Sequence, residues 1–474
     1  MVQVIKADLC VIGGGSGGLS VAAGAAQMGA RTVLIERGEM GGDCLNTGCV
    51  PSKALLAAAK HAWRRGQGAA FGLDDCSSEV DFARVNAHVR GVIDAIAPND
   101  SVARFEGLGV IVVKDHARFK DARTVIAGRK EIRARRFVIA TGSHPALPPI
   151  PGLDTVPVFT NETIFSNTVC PQHLIVIGGG PVGMEMAQAH RRLGAKVTVI
   201  EAAKVLSKDD PELVAFVTDR LAQEGVEIIE GANVTRVEGE AGHIAVTIGE
   251  GGDARVVSGT HLLVATGRRP AVEGLDLDKA GIEWDRHGIK VDTRLRTTNG
   301  RVFAIGDVIG GLQFTHVANY HAGIVIRNAL FRLPARVDYG AIPWVTYTDP
   351  ELAHVGETEA ELRARNMKIN VLRWHLAEND RAQAEHETEG EIKVITDMHS
   401  RILGCTIVGP HAGELILPWV LARSQGLKLG AMASLVVPYP TFSEISRRAA
   451  ASYYTPTLFS GRTRAIVRFL GLFG

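Results

Sequence analysis

The sequence has few cysteines, almost no net charge and no long apolar run. Six cysteines in 474 residues are too few for the disulfide framework of a secreted protein. A net charge of +1 gives no electrostatic reason to expect nucleic acid as the main partner. No apolar run reaches the roughly 18–20 residues that a membrane span needs, and the first residues lack the features of a signal peptide. We therefore expect a cytoplasmic protein, and the length predicts about three domains.

Two short patterns occur twice along the chain. "DLCVIGGGSGG" (8–18) returns as "HLIVIGGGPVG" (173–183), and "FVIATGSHP" (137–145) returns as "LLVATGRRP" (262–270). The first pattern predicts a strand, a tight turn and a helix; the second predicts a strand that ends in Ala-Thr-Gly. Two copies of the pair predict two similar α/β domains. From about Asp338 onward, strand and helix patterns without a glycine fingerprint predict an α+β domain.

The first glycine cluster has the spacing of a dinucleotide-binding loop. Gly13, Gly15 and Gly18 lie between a strand pattern and a helix pattern, and Glu36 closes the next strand. Glycines at this spacing allow a tight turn, close approach of the backbone to a pyrophosphate, and packing of the helix on the strand. The phosphate would lie at the positive end of the helix, and Glu36 is placed to hold a ribose hydroxyl.

The second glycine cluster has the same context. Its glycines are Gly178, Gly180 and Gly183, and its acid is Glu201. Because an acid repels a 2′-phosphate, NAD(H) is favoured over NADP(H), although Lys204 stands nearby. Two dinucleotide sites on one chain suggest that one holds a flavin and the other a nicotinamide, so that hydride can pass between them.

The segment "GGDCLNTGCVPSK" (41–53) places Cys44 close to Cys49. A structural staple across so short a loop would stabilise by only ~2 kcal/mol, against nearly 5 for a loop of about 100 residues. A zinc site would need a second ligand pair, and Cys10 and Cys76 are isolated. A redox pair explains more. A helix beginning near Pro51 would put Cys49 at its positive end, where a thiolate is favoured.

The same segment resembles the active-site motif of the flavin-dependent pyridine nucleotide–disulfide oxidoreductases, the family of dihydrolipoamide dehydrogenase, glutathione reductase and mercuric reductase. The resemblance covers nearly the whole chain: both glycine loops and both Ala-Thr-Gly strands match. "VFAIGDV" (302–308) is similar to the second flavin motif, and "PWVTYTDPELAHVG" (343–356) is similar to the start of the dimerisation domain. The implied fold has two nested Rossmann-like dinucleotide-binding domains, for FAD and NAD, and a C-terminal α+β dimerisation domain. The expected division is FAD domain 1–146, NAD domain 147–271, FAD domain continued 272–337 and dimerisation domain 338–474.

The resemblance implies a role for particular residues. Cys49 would lie against the flavin ring, and Cys44 would be the interchange thiol that meets the substrate. Lys53 and Glu185 would pair beside the flavin. The residues that would line the FAD are Gly13, Gly15, Gly18, Glu36, Lys53, Ala117, Thr141, Gly142, Ser143, Asp307 and His316. Those that would bind NAD are Gly178, Gly180, Gly183, Glu201 and Gly267.

The sequence departs from the family at two places. Asp43 stands where the family commonly has Thr, and an acid there would oppose the thiolate form of Cys44. Where disulfide-reducing members have a histidine that reaches across the dimer as acid–base, this chain has Tyr439; the following Glu444 is retained. Tyrosine titrates near pH 10 and histidine near 6.5, so a tyrosine base at pH 7 would cost ~4 kcal/mol.

Three functions follow from these residues. The first is a homodimeric NADH-driven flavoenzyme, similar to dihydrolipoamide dehydrogenase, with its active site at the subunit interface and a small disulfide or a lipoyl-bearing protein as substrate. The second is a metal-ion reductase similar to mercuric reductase, although no cysteine follows Cys405 where those enzymes usually carry a pair. The third is a carrier component docked on a larger assembly.

The stretch 457–474 predicts an amphipathic helix. Ile466, Phe469, Leu470 and Phe473 fall on one helical stripe, and Arg464 and Arg468 lie side by side on another face. Such a helix can rest on an anionic membrane, or it can pack on its own protein or on a dimer mate.

Overall fold

A computed structural model describes residues 3–74 and 79–473, so Cys76 lies outside the described residues. Its strands, in chain order, are β1 (Gln3–Ile12), β2 (Thr32–Glu36), β3 (Ile111–Lys114), β4 (Ala117–Asp121), β5 (Thr124–Ala127), β6 (Lys130–Ile139), β7 (Ser143–Pro145), β8 (His173–Ile177), β9 (Lys196–Ile200), β10 (Val226–Ile229), β11 (Val234–Glu240), β12 (His243–Ile248), β13 (Arg255–Gly259), β14 (His261–Val264), β15 (Arg268–Pro270), β16 (Trp284–Asp285), β17 (Gly288–Ile289), β18 (Val302–Ala304), β19 (Pro343–Thr346), β20 (Glu351–Gly356), β21 (Ile369–His375), β22 (Glu391–Asp397) and β23 (Ile402–Gly409).

The helices, in chain order, are α1 (Ser16–Gln27), α2 (Gly42–Asn46), α3 (Cys49–Arg64), α4 (Phe82–Ile96), α5 (Val102–Gly107), α6 (Pro181–Arg192), α7 (Pro211–Gln223), α8 (Thr315–Ala329), α9 (Glu359–Ala364), α10 (Asp380–Ala384), α11 (Ala412–Leu415), α12 (Leu417–Ser424), α13 (Leu429–Ala433), α14 (Glu444–Ser452), α15 (Thr455–Leu458) and α16 (Gly461–Leu470). Short 3₁₀ turns occur at Gly68–Phe71, Ala97–Asp100, Ile164–Ser166, Gly251–Asp253, Leu277–Ala280, Gly306–Ile309 and Leu376–Glu378. Among the described residues, no helix is both long enough and apolar enough to cross a membrane.

The described residues divide into two compact units. The first takes those within 1–63, 77–202 and 231–338, and the second takes those within 64–76, 203–230 and 339–474. The first unit contains both glycine loops and the cysteine segment. The division into four sequence segments by domain stays a prediction.

The main sheet of the first unit has the strand order β3-β2-β1-β6-β5-β4, with β18 on β6. Strands β1, β2, β3, β6 and β18 pair in parallel, whereas β4 and β5 form an antiparallel edge. The central strands are apolar on both faces, as in a sheet that is covered on both sides. Cys10 illustrates this burial, because it is fully buried in β1 between Val33 and Phe137.

The second copy of the strand-turn-helix pattern builds a similar arrangement. β8 pairs in parallel with β9 on one side and β14 on the other, so Ile177 lies between Ile200 and Val264. Helix α6 follows β8 directly after the glycine loop. Both predicted strand-turn-helix units are therefore confirmed, as is the α/β fold class with an additional C-terminal domain.

The second unit contains an antiparallel sheet with the order β19-β20-β23-β22-β21. Its core includes Trp419 of α12, which is fully buried and donates its indole N–H to Ser446 of α14 at 3.0 Å. The α+β character predicted after Asp338 is thus confirmed. Two short helices, α11 and α12, follow β23, and Pro418 lies in the first turn of α12.

A buried lysine joins several elements of the second unit. Lys393 of β22 is almost fully buried, and its ammonium lies 2.6 Å from Asp210, 2.8 Å from Glu212 and 2.7 Å from Glu359. Burial by itself lowers the pKa of a lysine, but these three hydrogen bonds outweigh it and raise the pKa of Lys393. The three carboxylates have oxygens within 4.8 Å of one another, so the ammonium holds together groups that would otherwise repel.

We expect Lys393→Met to lower the free energy of unfolding by about 3–5 kcal/mol, because it leaves the buried carboxylate of Asp210 without its cation. Denaturant titration followed by tryptophan fluorescence measures the loss. Lys368→Met removes an exposed lysine of the same unit and is the matched control. The destabilisation by Lys393→Met should shrink as the pH falls from about 4.5 toward about 2, because the hydrogen bond from Lys393 lowers the pKa of Glu212 to about 2. Equal stability of the two variants would contradict the role given to this cluster.

Candidate functional site

The first glycine loop connects β1 to α1 in a turn that side chains would block. Gly13 has φ +108°, and a Cβ atom there would overlap the carbonyl oxygen of Ala140. A Cβ atom on Gly18 would overlap the carbonyl oxygen of Gly13. Gly15 caps the helix, and the nearest atom to a Cβ placed on it is 3.9 Å away. The loop is therefore closed toward the sheet and open at the helix N-terminus, where a phosphate would be favoured.

The second glycine loop repeats this geometry. Gly178 also has φ +108° and lies against the carbonyl oxygen of Ala265, and Gly183 lies against the carbonyl oxygen of Gly178. Gly180 caps α6, and no atom lies within 4 Å of a Cβ placed on it. The two loops thus offer the same kind of site at two helix N-termini.

The acids predicted for the ribose positions lie at their loops. Glu36 ends β2 and accepts hydrogen bonds from the N–H groups of Gly14 and Gly38, both at 2.5 Å. Glu201 follows β9 and accepts a hydrogen bond from the N–H of Gly179 at 2.7 Å. Each carboxylate is therefore held at the glycine turn, where it can reach a sugar hydroxyl of a dinucleotide in the loop.

The cysteine segment is attached to the first glycine loop. The N–H of Gly41 donates to the carbonyl oxygen of Gly14 at 2.9 Å. Gly42 approaches Gly15 so closely that a Cβ on Gly42 would lie 2.7 Å from the Gly15 Cα. This contact places the helix that carries Cys44 beside the candidate FAD loop.

The two cysteines lie on different helices. Cys44 belongs to α2 and Cys49 is the first residue of α3, and the chain bends between them at Thr47 and Gly48. The predicted helix therefore starts at Cys49, two residues before Pro51. The bend brings together two thiols that a continuous helix would turn away from each other.

The thiols share a hydrogen bond that separates their acidities. Donation from Cys44 to Cys49 raises the pKa of Cys44 and lowers that of Cys49 to about 6. The hydroxyl of Thr315, 3.4 Å from the Cys49 sulfur, also lowers the Cys49 pKa, as does the charge of Lys53. Cys49 is the thiolate of the pair near neutral pH, and Cys44 retains its proton.

Asp43 makes contacts that the sequence did not show. Its carboxylate lies 3.1 Å from the guanidinium of Arg268 and accepts hydrogen bonds from Asn161 at 3.0 Å and Thr47 at 2.6 Å. Its charge raises the pKa of both cysteines, in the direction expected from sequence. The partners hold the acid in place next to Cys44.

The predicted flavin-lining residues after β6 converge on Asp307. Ser143 donates to the Asp307 carboxylate at 2.6 Å, and burial raises the Asp307 pKa. Arg268 donates to the Ser143 hydroxyl at 2.7 Å. Gly142 has φ +73°, and Thr141 donates to the carbonyl oxygen of Ala271 at 2.7 Å.

Lys53 and Glu185 form the predicted pair. The Lys53 ammonium lies 2.8 Å from the carboxylate of Glu185, which is buried on α6. Because Lys53 is one helical turn beyond Cys49 on α3, its charge acts on that thiol. The pair joins the cysteine helix to the helix that follows the second glycine loop.

The remaining predicted ligands of the first unit have varied surroundings. His316 is the second residue of α8, next to Thr315, and stacks on Phe314 at 5.3 Å. Ala117 begins β4 and is buried in the core, so its backbone is the part that could meet a ligand. Gly267 has φ +126°, and its carbonyl oxygen accepts the N–H of Ala146 at 2.9 Å. Their cofactor contacts stay predictions.

Tyr439 and Glu444 belong to the second unit. Tyr439 is 70% exposed and donates its hydroxyl to Asp380 at 2.7 Å. This hydrogen bond, the Asp380 charge and the Glu444 charge raise the Tyr439 pKa, so the phenol keeps its proton at neutral pH. Glu444 is the first residue of α14 and is largely buried.

Sequence reasoning missed four of these residues: Thr315, Arg268, Asn161 and Asp380. None stands in a motif that names its partner. Only Arg268 lies next to a sequence motif that could have drawn attention to it, because it follows the second Ala-Thr-Gly.

The sequence model of the family described as "Pyridine nucleotide-disulphide oxidoreductase" matches residues 7–322. The model of the dimerisation domain of the same family matches residues 342–450. Together the two matches cover both glycine loops, the cysteine segment and the antiparallel sheet of the second unit.

The relatives that match this chain have different functions from one another. A mercuric reductase of Bacillus cereus is 34% identical over 94% of this chain and 71% of its own length. A dihydrolipoyl dehydrogenase of Geobacillus stearothermophilus is 33% identical over 94% of this chain and 96% of its own length. A Cu(II) complex of the HOCl-induced flavoprotein disulfide reductase RclA from Escherichia coli is 28% identical, with a TM-score of 0.85 over 94% of this chain and 99% of that one.

We expect Cys49 of the reduced protein to react with iodoacetamide with a pH midpoint near 6, since only the thiolate reacts. Site-specific mass spectrometry of the alkylated protein measures the midpoint. Cys44→Ala should raise it, because the donated hydrogen bond is lost. Cys170→Ser, which changes a thiol with a raised pKa elsewhere in the unit, should leave it unchanged. Faster alkylation of Cys44 than of Cys49 would reverse the assignment of the two thiols.

Proposed function

Because the chain belongs to the pyridine nucleotide–disulphide oxidoreductases, a family that is FAD-dependent and uses pyridine nucleotides, we propose that it passes electrons from NADH to a disulfide substrate. The route is the FAD and then the Cys44–Cys49 pair. The observation that carries the proposal is the placement of Cys44 and Cys49 on the two sides of the bend at Thr47 and Gly48, in a segment that is attached to the first glycine loop.

The residues present fit the FAD. The open helix N-terminus at Gly15 suits a pyrophosphate, and Glu36 suits the adenosine ribose. Asp307, paired with Ser143, suits a hydroxyl of the ribityl chain. Bound FAD would accept a hydride from the nicotinamide and supply an electron pair for reduction of the disulfide.

The chain's own groups then handle the thiols. Two electrons and one proton convert the Cys44–Cys49 disulfide to a Cys44 thiol and a Cys49 thiolate, and Lys53 stabilises the thiolate. Cys44, after losing its proton, attacks one sulfur of the substrate disulfide and forms a mixed disulfide. Cys49 next attacks Cys44, which restores the protein disulfide and releases the substrate as a dithiol after protonation. The outcome is one substrate disulfide reduced for each NADH oxidised.

The proposal assigns the second loop to NAD(H). Glu201 is held against the loop, and an acid there would repel a 2′-phosphate. Lys204, the nearby cation, is already paired with Glu230 at 2.6 Å. A lysine so engaged gives little support to a 2′-phosphate.

We expect a lower KM for NADH than for NADPH, and Glu201→Arg should narrow or reverse this preference. Loss of a charge-assisted hydrogen bond of about 1.5–3 kcal/mol corresponds to a change of about 10- to 100-fold in the ratio of KM values. Steady-state kinetics with both nucleotides measure the ratio. Lys204→Ala is the control and should leave it nearly unchanged. Equal use of both nucleotides by the unchanged protein would refute the argument from Glu201.

The dimerisation-domain match supports a homodimer. We place Tyr439 and Glu444 of one copy at the dithiol of the other, where a proton must be taken from Cys44. Tyr439 is a poor base, because its pKa is raised by Asp380. The proposal therefore includes slow reduction of free lipoamide, in which removal of the proton from Cys44 is the limiting step.

Reduction of a thiophilic metal ion is a second candidate, favoured by the same tyrosine. A metal ion can displace the thiol protons by binding the thiolates, so no histidine base is required. Mercuric reductase is among the relatives, and RclA has been solved as a Cu(II) complex.

We expect Tyr439→His to raise turnover with lipoamide by about tenfold or more, because general acid–base help is worth about 10²- to 10⁴-fold and Glu444 is available to orient the imidazole. Rapid-reaction kinetics separate reduction of the protein by NADH from transfer to lipoamide, and only the second step should change. Tyr439→Phe is the matched control and cannot act as a base.

The same proteins tested with Hg(II) and Cu(II) decide between the candidates. Fast NADH-dependent metal reduction that collapses in Tyr439→Phe, together with no gain for lipoamide in Tyr439→His, would replace the disulfide proposal by the metal-ion one. Lipoamide turnover that is fast in the unchanged protein and insensitive to Tyr439→His would show that another group takes the proton.

A further inference from the structure

The end of the second unit carries a helix that is largely exposed in the described part of the chain. Helix α16 contains no buried residue, and all of its residues except Thr463 are exposed. Its stripe of apolar side chains was visible in the sequence, and packing on the same chain was one of the explanations offered. In this structure the chain leaves each side chain of the stripe at least 49% exposed, so packing on the same chain does not bury it.

The apolar side chains are large and close together. Phe469 and Phe473 make an edge-to-face contact at 5.2 Å between ring centroids. Exposed apolar residues continue on both sides of the helix; they are Leu458, Phe459, Ile466, Val467, Phe469, Leu470, Leu472 and Phe473, each at least 49% exposed. An apolar surface of this kind, continuous rather than scattered, marks an interaction site.

The helix is nevertheless encoded as a helix. Ser460 caps it by accepting the N–H of Thr463 at 3.2 Å, and Thr463 donates its hydroxyl to the carbonyl oxygen of Thr457 at 2.7 Å. A helix of ten residues is marginal in water when no packing supports it. Its stability therefore calls for a surface that covers the apolar stripe.

The charge around the helix has one sign. No Asp or Glu occurs after Glu444, whereas five arginines do. Arg464 and Arg468 are four residues apart and lie on the side of α16 opposite to Ile466 and Leu470. A helix with one apolar face and one cationic face suits an anionic lipid surface, where the apolar face enters the acyl region and the arginines meet phosphate groups.

The second copy of the chain has another surface available. Within residues 342–450, which match the dimerisation domain, Leu417, Leu421 and Val436 are 66%, 58% and 99% exposed. The segment 455–473 lies beyond that match. Pairing of two such segments would also bring six arginines together without a carboxylate from either one.

We propose that residues 455–473 dock the protein on the surface of an anionic membrane. The apolar stripe of α16 lies in the interface, and Arg464 and Arg468 bind lipid phosphates. The docking is peripheral, in keeping with the absence of a spanning helix among the described residues, and it is independent of which acceptor the dithiol reduces.

Cosedimentation of the full FAD-loaded protein with vesicles tests the proposal. The vesicles are phosphatidylcholine alone, or phosphatidylcholine with about one-third phosphatidylglycerol. We expect binding to the anionic vesicles that weakens with added salt, and much weaker binding to the neutral ones. Phe469→Ser/Leu470→Ser and Arg464→Gln/Arg468→Gln should each lower the partition coefficient by about tenfold or more.

Phe331→Ser is the matched control, because Phe331 is 55% exposed, close to the 59% of Phe469, and lies in the first unit. It should leave vesicle binding unchanged within about twofold. Absence of binding to anionic vesicles, or equal binding by the α16 variants and the control, would overturn the proposal. Light scattering tests whether a second copy of the chain packs on the stripe instead. If Phe469→Ser/Leu470→Ser converts a dimer to monomers and leaves vesicle binding intact, the stripe is a dimer contact and the membrane proposal is wrong.

Discussion

The chemistry of the site depends on the hydrogen bond between Cys44 and Cys49. Two isolated thiols would both be largely protonated at neutral pH. Sharing one proton raises the pKa of Cys44 and lowers that of Cys49, so the pair divides into a thiolate and a thiol. The contact requires the chain to bend at Thr47 and Gly48, and it is positioned by the attachment of the segment to the first glycine loop.

The charges around the thiols come from the cysteine segment itself and from a distant part of the chain. Lys53 favours the Cys49 thiolate, and Asp43 opposes both thiolates. Arg268 pairs with Asp43. Arg268 also holds Ser143, which links the cysteine segment to the strand ends that surround Asp307. The electrostatics of the pair are thus a property of the assembled first unit.

Electron transfer and proton transfer have different support in this chain. The glycine loops, their acids and the thiol pair support the proposed electron transfer. Tyr439, which we propose for the proton-transfer position, has its hydroxyl committed to Asp380. This combination is the reason that we propose a slow disulfide reductase and keep a metal-ion reductase as the second candidate. Activity measurements that separate the two half-reactions address this difference directly.

The sequence by itself determined the two strand-turn-helix units, the positions of Glu36 and Glu201 at their loops, and the redox interpretation of the cysteines, because each depends on steric or chemical demands within a few dozen residues. Tertiary structure decided the partners: Thr315 for Cys49, Arg268 for Asp43, Asp380 for Tyr439 and three carboxylates for Lys393. These contacts join residues from 34 positions apart, for Glu359 and Lys393, to 266 positions apart, for Cys49 and Thr315, and no local pattern encodes such a pairing. Exposure of the stripe on α16 was likewise undecided, since an amphipathic pattern shows which face is apolar and only packing shows whether it is covered.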